Sequence, residues 1–141
     1  MIFLIIYSGG SVLSDGNLEK ETIQCSPSRT ITIELSKGYF KKSVTYEEGI
    51  IETFTFSDSS YIFIFCGRMQ TYPMLSEDKY QVTKTKELNG LKSRLGINLE
   101  TSKLWREDNY KSGIAIVYDN VPESRQTEFN NMLGSIEIKE Q

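Results

Sequence analysis

At 141 residues, with 38% hydrophobic and 25% charged content, the chain is long enough for one domain with a real core, and its composition points to neither a disordered nor a membrane-spanning protein. The net charge of −3 and a single adjacent basic pair, Lys41-Lys42, give none of the Lys and Arg density that phosphate binding uses, so no nucleic-acid partner is expected. Histidine is absent, which removes His-dependent nucleophilic catalysis, the commonest zinc ligand and the ordinary pH switch; no metal or cofactor is expected, and the balance moves away from an enzyme.

The chain begins with an apolar run, Ile2 to Tyr7, followed by Ser8-Gly9-Gly10-Ser11. This stretch resembles the truncated end of a bacterial signal peptide, and the small residues ahead of Ser11 resemble a lipoprotein processing site with Ser where the lipidated Cys would stand. Ser11 cannot carry the thioether lipid. The resemblance implies an exported, periplasmic or envelope location, with residues 1–16 as signal remnant or tether and residues 17–141 as a single sheet-rich domain. The competing reading makes Ile2 to Tyr7 a buried first strand in a cytoplasmic protein.

Asn17 to Gln24 reads as a short helix or an irregular lead-in. In Thr30 to Leu35, period-two alternation puts Ile31, Ile33 and Leu35 on one face, the signature of a half-buried strand. Ser36-Lys37-Gly38 turns the chain into a more exposed strand, Tyr39 to Tyr46. There Lys41-Lys42 reads as edge protection.

Ile50 to Gly67 is the most apolar segment, and Ser57-Asp58-Ser59-Ser60 divides it into a hairpin. With Asp58-Ser59 as a two-residue tip, Phe56 faces Tyr61, Phe54 faces Phe63, Glu52 faces Phe65 and Ile51 faces Cys66. A one-residue slip would exchange the two faces completely. In the two-residue register Phe54, Phe56, Tyr61 and Phe63 form an aromatic face that could line a ligand cavity. Glu52 among those rings could have a raised pKa and act as a general acid, or could reach water at a frayed edge.

Arg68 to Asp78, with Pro73, reads as the longest loop, from which Arg68, Gln70 and Tyr72 could reach a ligand or partner; solvated loop side chains are the plainer reading. Asn89-Gly90 marks a type I′ hairpin pairing Leu88 with Leu91, Val82 with Ile97 and Tyr80 with Leu99. A third hairpin runs from Leu104–Tyr110 through Lys111-Ser112-Gly113 into Ile114–Tyr118, with the apolar second strand inside the sheet and the polar first strand nearer an edge. Trp105, the sole tryptophan, would anchor a partner or a sugar ring on an open face, or else pack in the core or at an edge. Glu107-Asp108 are neighbours on this strand, so their carboxylates should point to opposite faces and cannot form a glycosidase pair. Pro122 and Glu123 open a helix whose Phe129, Met132, Leu133 and Ile136 form one apolar stripe.

Cys25 and Cys66 have no CxxC spacing and cannot complete a zinc site alone; they form one disulfide in an oxidising compartment or remain two buried thiols. Together these elements predict an α+β domain, an antiparallel meander of about six to eight strands with one C-terminal helix packed on it. Its strand-then-helix ending resembles the PsbP/Mog1-like arrangement, a likeness that implies no activity and no site residues. The alternative is a lipocalin-like barrel plus helix, although the lipocalin GxW signature is missing. The functional expectation is a non-enzymatic, exported or envelope-associated interaction module with a protein partner. A carrier of a small apolar ligand is the alternative, and a carboxylate-dependent hydrolase using Glu52 the weakest one.

Overall fold

The structure is a computed structural model and describes residues 17–67, 78–110 and 112–140. The segment Ile2 to Tyr7, Ser11, and the loop residues Arg68, Gln70 and Tyr72 lie outside the described residues. A small antiparallel sheet has the order β1-β2-β10, from Leu18–Ser26, Arg29–Ser36 and Glu137–Glu140. The main sheet has seven strands: β3 (Phe40–Thr45), β4 (Gly49–Thr55), β5 (Tyr61–Gly67), β6 (Tyr80–Leu88), β7 (Leu91–Asn98), β8 (Lys103–Tyr110) and β9 (Ile114–Val121). Helix α1 (Gln126–Gly134) follows a single 3-10 turn, Glu123–Arg125. The domain is therefore α+β with an antiparallel main sheet, and among the described residues no barrel closes.

The order of the main sheet is β3-β4-β5-β9-β8-β7-β6. Two meanders, β3 to β5 and β6 to β9, meet where β9 pairs with β5. The strand IAIVYDNV, buried at every position but Asn120, thereby takes the centre, where both faces of a strand are covered. The lysine-bearing β3 and β6 take the two edges, as edge protection requires.

The hairpin β4–β5 adopts the slipped register. Thr55 pairs with Tyr61, Phe54 with Ile62, Thr53 with Phe63, Glu52 with Ile64 and Ile50 with Cys66. The cause is a three-residue loop: the Phe56 N–H donates to the Ser60 carbonyl at 2.8 Å, and Ser59 takes a positive φ of 72°. A turn closed by a left-handed residue is the usual three-residue hairpin. Phe54 and Phe56 consequently share a face with Ile62, Ile64 and Cys66, while Tyr61, Phe63 and Phe65 share the other with Ile51, Thr53 and Thr55. The four rings read from the sequence as one aromatic face are divided between two faces.

Three further elements differ from their sequence reading. Residues 18–26 form a strand, neither helix nor irregular lead-in, because β2 offers a partner: Glu19 pairs with Leu35, Glu21 with Ile33 and Ile23 with Ile31. β3 does not return along β2 but crosses to the main sheet and pairs with β4, Lys42 against Thr53. In β6–β7 the Asn89-Gly90 turn holds, with φ of 50° and 85°, and Leu88 pairs with Leu91. A bulge at Thr83 then shifts the register, so that Val82 faces Gly96 and Tyr80 faces Asn98. Gly96 permits this, because a Cβ there would overlap the Gln81 carbonyl oxygen.

The core lies between the two sheets and under the helix. Ile31, Ile33 and Leu35 of β2 meet Phe54, Ile62, Ile64, Ile114, Ile116 and Tyr118 of the main sheet, all fully or almost fully buried. The helical stripe adds Phe129, Met132 and Leu133, with Ile136 packed just beyond the helix end. Phe129 meets Phe56 and Tyr118 edge-on at 5.4 and 5.7 Å, contacts worth roughly 0.5–1.5 kcal/mol each beyond area burial. Arg125 ties the helix start to the hairpin tip, bonding Asp58 at 3.0 Å and Glu128 at 2.8 Å while lying over Phe56 and Phe129. The small sheet and the helix thus cover the same face of the main sheet, which we call the inner face.

Candidate functional site

Cys25 on β1 and Cys66 on β5 are joined by a disulfide, with their Cα atoms 5.8 Å apart. The bond links the small sheet to the middle of the main sheet. It borders a cleft of about 350 Å3 lined also by Arg29, Tyr46, Glu47 and Glu48. The Arg29 guanidinium is already committed there: its Nε donates to Glu140 at 2.8 Å and its Nη1 to the Ser112 carbonyl at 2.6 Å. What remains is a clamp between sheets beside a shallow acidic rim.

At the other end of the main sheet, on its outer face, the carboxylate of Asp119 is 1% exposed. It accepts hydrogen bonds from the Tyr61 hydroxyl at 2.9 Å, the Tyr80 hydroxyl at 2.5 Å, the Asn98 side-chain amide at 3.1 Å and the Asn120 N–H at 2.6 Å. Trp105 closes this cluster from β8. Its ring stacks on Tyr80 at 4.8 Å and lies 5.6 Å from the Arg94 guanidinium, and only 1% of the residue is exposed. Trp105 is therefore a packing residue and not an anchor on an open face; its indole N–H has no acceptor among the described residues. Burial and the bond to Asp119 together push the Tyr80 phenol far above its ordinary pKa.

The acidic residues are held by their neighbours. Glu107 and Asp108 do face opposite ways: Glu107 bonds Arg94 at 2.5 Å on the outer face, and Asp108 bonds Arg106 at 2.8 Å and Ser93 at 2.6 Å on the inner face. Arg106 and Tyr118 in turn donate to the Asn130 side-chain oxygen of α1 at 3.0 and 2.9 Å. Glu52 is buried on the inner face opposite Ile64 and accepts a hydrogen bond from the Ser43 hydroxyl. It neither frays into water nor stands among the rings once placed around it. Phe54 and Phe56 pack edge-on against Tyr39 at 5.3 and 6.2 Å, so their face is a filled core.

One part of the inner face is left uncovered by the helix and the small sheet among the described residues. The helix packs on β2 and β9, leaving β6 and β7 beyond its reach. There Leu91, Leu95 and Ile97 are only half-buried, Leu88 is 70% exposed, and Lys84 and Lys86 stand beside them on β6. Period-two alternation puts Leu91, Leu95, Ile97 and Leu99 on one face but does not distinguish a covered face from an open one. The missing signal was the length of α1: nine residues span about 13 Å at 1.5 Å each, too little to reach across seven strands.

No protein-family model matches the chain, and no curated protein or solved structure is significantly similar to it. Among the described residues, no helix is long and apolar enough to cross a membrane.

Proposed function

We propose that this protein is an exported, non-enzymatic interaction module that recognises a protein partner on its surface. The observation that carries the reading is the Cys25–Cys66 bond between the two sheets, because disulfides persist in oxidising compartments such as the periplasm and the cell exterior. Support also comes from the chemistry of the buried acids. Glu52, Glu107, Asp108 and Asp119 each hold a donor from a neighbouring strand, which suits them to fixing a sheet. Phe54 and Phe56 lie on one face and Tyr61 and Phe63 on the other, which favours the interaction module over a carrier whose cavity all four rings would line.

Photo-crosslinking in the native compartment tests the proposal. A benzoylphenylalanine side chain placed at Phe40, Leu88 or Leu99, all exposed apolar positions, should yield a discrete protein adduct from at least one site. Absence of any adduct from all of them, together with a small apolar molecule retained in native mass spectrometry, would turn the assignment to the carrier.

A further inference from the structure

The uncovered inner face of β6–β7 has a composition that narrows its occupant, and we infer that it docks a partner segment combining acidic and apolar side chains. This inference rests on the interaction-module reading. Residues 78–110 carry seven basic and five acidic side chains, whereas the other described residues carry seven basic and twelve acidic ones. A chain of net charge −3 has thus collected positive charge on one lobe. Within that lobe Arg94, Arg106 and Lys79 are neutralised by Glu107, Asp108 and Glu100. Among the described residues Lys84 and Lys86 form no ion pair, and Asp108, the acid facing their side from β8, is already bound by Arg106 and Ser93.

The lysines border an aliphatic strip. Leu91, Leu95 and Ile97 lie on β7, and Leu88 projects at the hairpin tip. Edge protection accounts for a lysine on β6 but not for three half-buried aliphatic side chains left open beside it. A segment with apolar side chains over the strip and carboxylates over Lys84 and Lys86 satisfies both features. A second copy of this chain fits less well. Its most exposed aromatic among the described residues, Phe40, adjoins Lys41 and Lys42, and its Tyr46-Glu47-Glu48 turn would make a head-to-tail contact that grows without closing.

The test is a binding titration of the whole protein with two synthetic peptides, one with a Glu face and a Leu face, the other with Lys in place of Glu. Lipid vesicles with and without phosphatidylglycerol, and sedimentation of the protein alone, complete the set. The Glu peptide should bind and the Lys peptide should not. The exposed double variant Lys84→Glu/Lys86→Glu should weaken binding about tenfold at low salt, since two partly exposed pairs are each removed and reversed. The difference should shrink in high salt, and Lys42→Glu on the opposite edge should leave binding unchanged. Equal binding of the Glu peptide to the double variant overturns the inference, as does no binding at all. Binding only to anionic vesicles would make the face a membrane contact, and self-association abolished by the double variant would make it a subunit contact; either result overturns the inference. A crosslinked partner recovered from position 40 alongside a failed peptide titration would leave the module reading standing and this surface wrong.

Discussion

Replacing Asp119 tests whether the polar cluster on the outer face supports the sheet. In Asp119→Ala the four donors lose their acceptor together. Tyr61 and Tyr80 are half-buried and can turn to water, so each loss is a net hydrogen bond of about 0.5–1.5 kcal/mol. Asn98 is buried and cannot, so its orphaned amide costs about 1–3 kcal/mol. Removal of a buried carboxylate recovers some desolvation, leaving a net destabilisation of about 3 kcal/mol, a large share of a typical domain's stability of roughly 5–15 kcal/mol. Asp119→Asn keeps the shape and one acceptor oxygen, and should cost about half as much. Urea unfolding followed by the fluorescence of Trp105 is the assay, since this sole tryptophan stacks on Tyr80 within the cluster. A double-mutant cycle with Tyr80→Phe should show coupling of about 1–2 kcal/mol. A loss below about 1 kcal/mol for Asp119→Ala, or strict additivity in the cycle, would refute the reasoning.

Opening the disulfide with Cys25→Ser/Cys66→Ser releases a loop spanning 41 residues of sequence separation, for which chain entropy gives a loss of about 4 kcal/mol. Thermal unfolding would measure it, and an unchanged midpoint would count against the clamp. Gly96→Ala should cost about 1–3 kcal/mol by forcing β6 away at the bulge, visible as faster amide exchange in residues 80–83 than in the β5–β9 ladder. Stability should also fall at both ends of the pH scale. Although burial opposes it, hydrogen bonds from Ser60 and Arg125 hold Asp58 at about 2, below its ordinary 3.8. Its contribution is therefore present above pH 3.8 and lost as pH falls towards 2. The phenols of Tyr39 and Tyr80, raised by burial and by bonds to carboxylates, contribute below pH 10 and lose that contribution progressively above it. Chemical denaturation across pH would show a flat centre with these two declines.

The parts of the fold legible in the sequence were those set by local periodicity. The stripe Phe129-Met132-Leu133 identified the covering helix, Asn89-Gly90 fixed its turn, and the two-residue period correctly separated Glu107 from Asp108. What escaped depended on backbone geometry at single residues. A positive φ at Ser59 converts a two-residue tip into a three-residue loop, and that one change moves Phe63 from the face of Phe54 to the opposite one. The bulge at Thr83 has the same character. β1 was illegible for another reason: LEKETIQCS buries little besides Ile23, so its state is decided by pairing with β2 and not by its own pattern. Trp105 could not be placed because its cover, Tyr80, sits 25 positions away on a strand whose register the bulge shifts. The open face of β6–β7 is likewise a tertiary property, arising because one short helix and a three-stranded sheet cover only part of a seven-stranded one.

The most direct measurement is the thiol state in the living source cell. Cells are quenched in acid, alkylated without reductant, and the protein's mass compared with that of a sample reduced before alkylation. An exported module clamped between its sheets should take up no alkyl group until it is reduced, and then two, at Cys25 and Cys66. Alkylation of both cysteines in the unreduced sample would contradict the clamp and remove the main support for export.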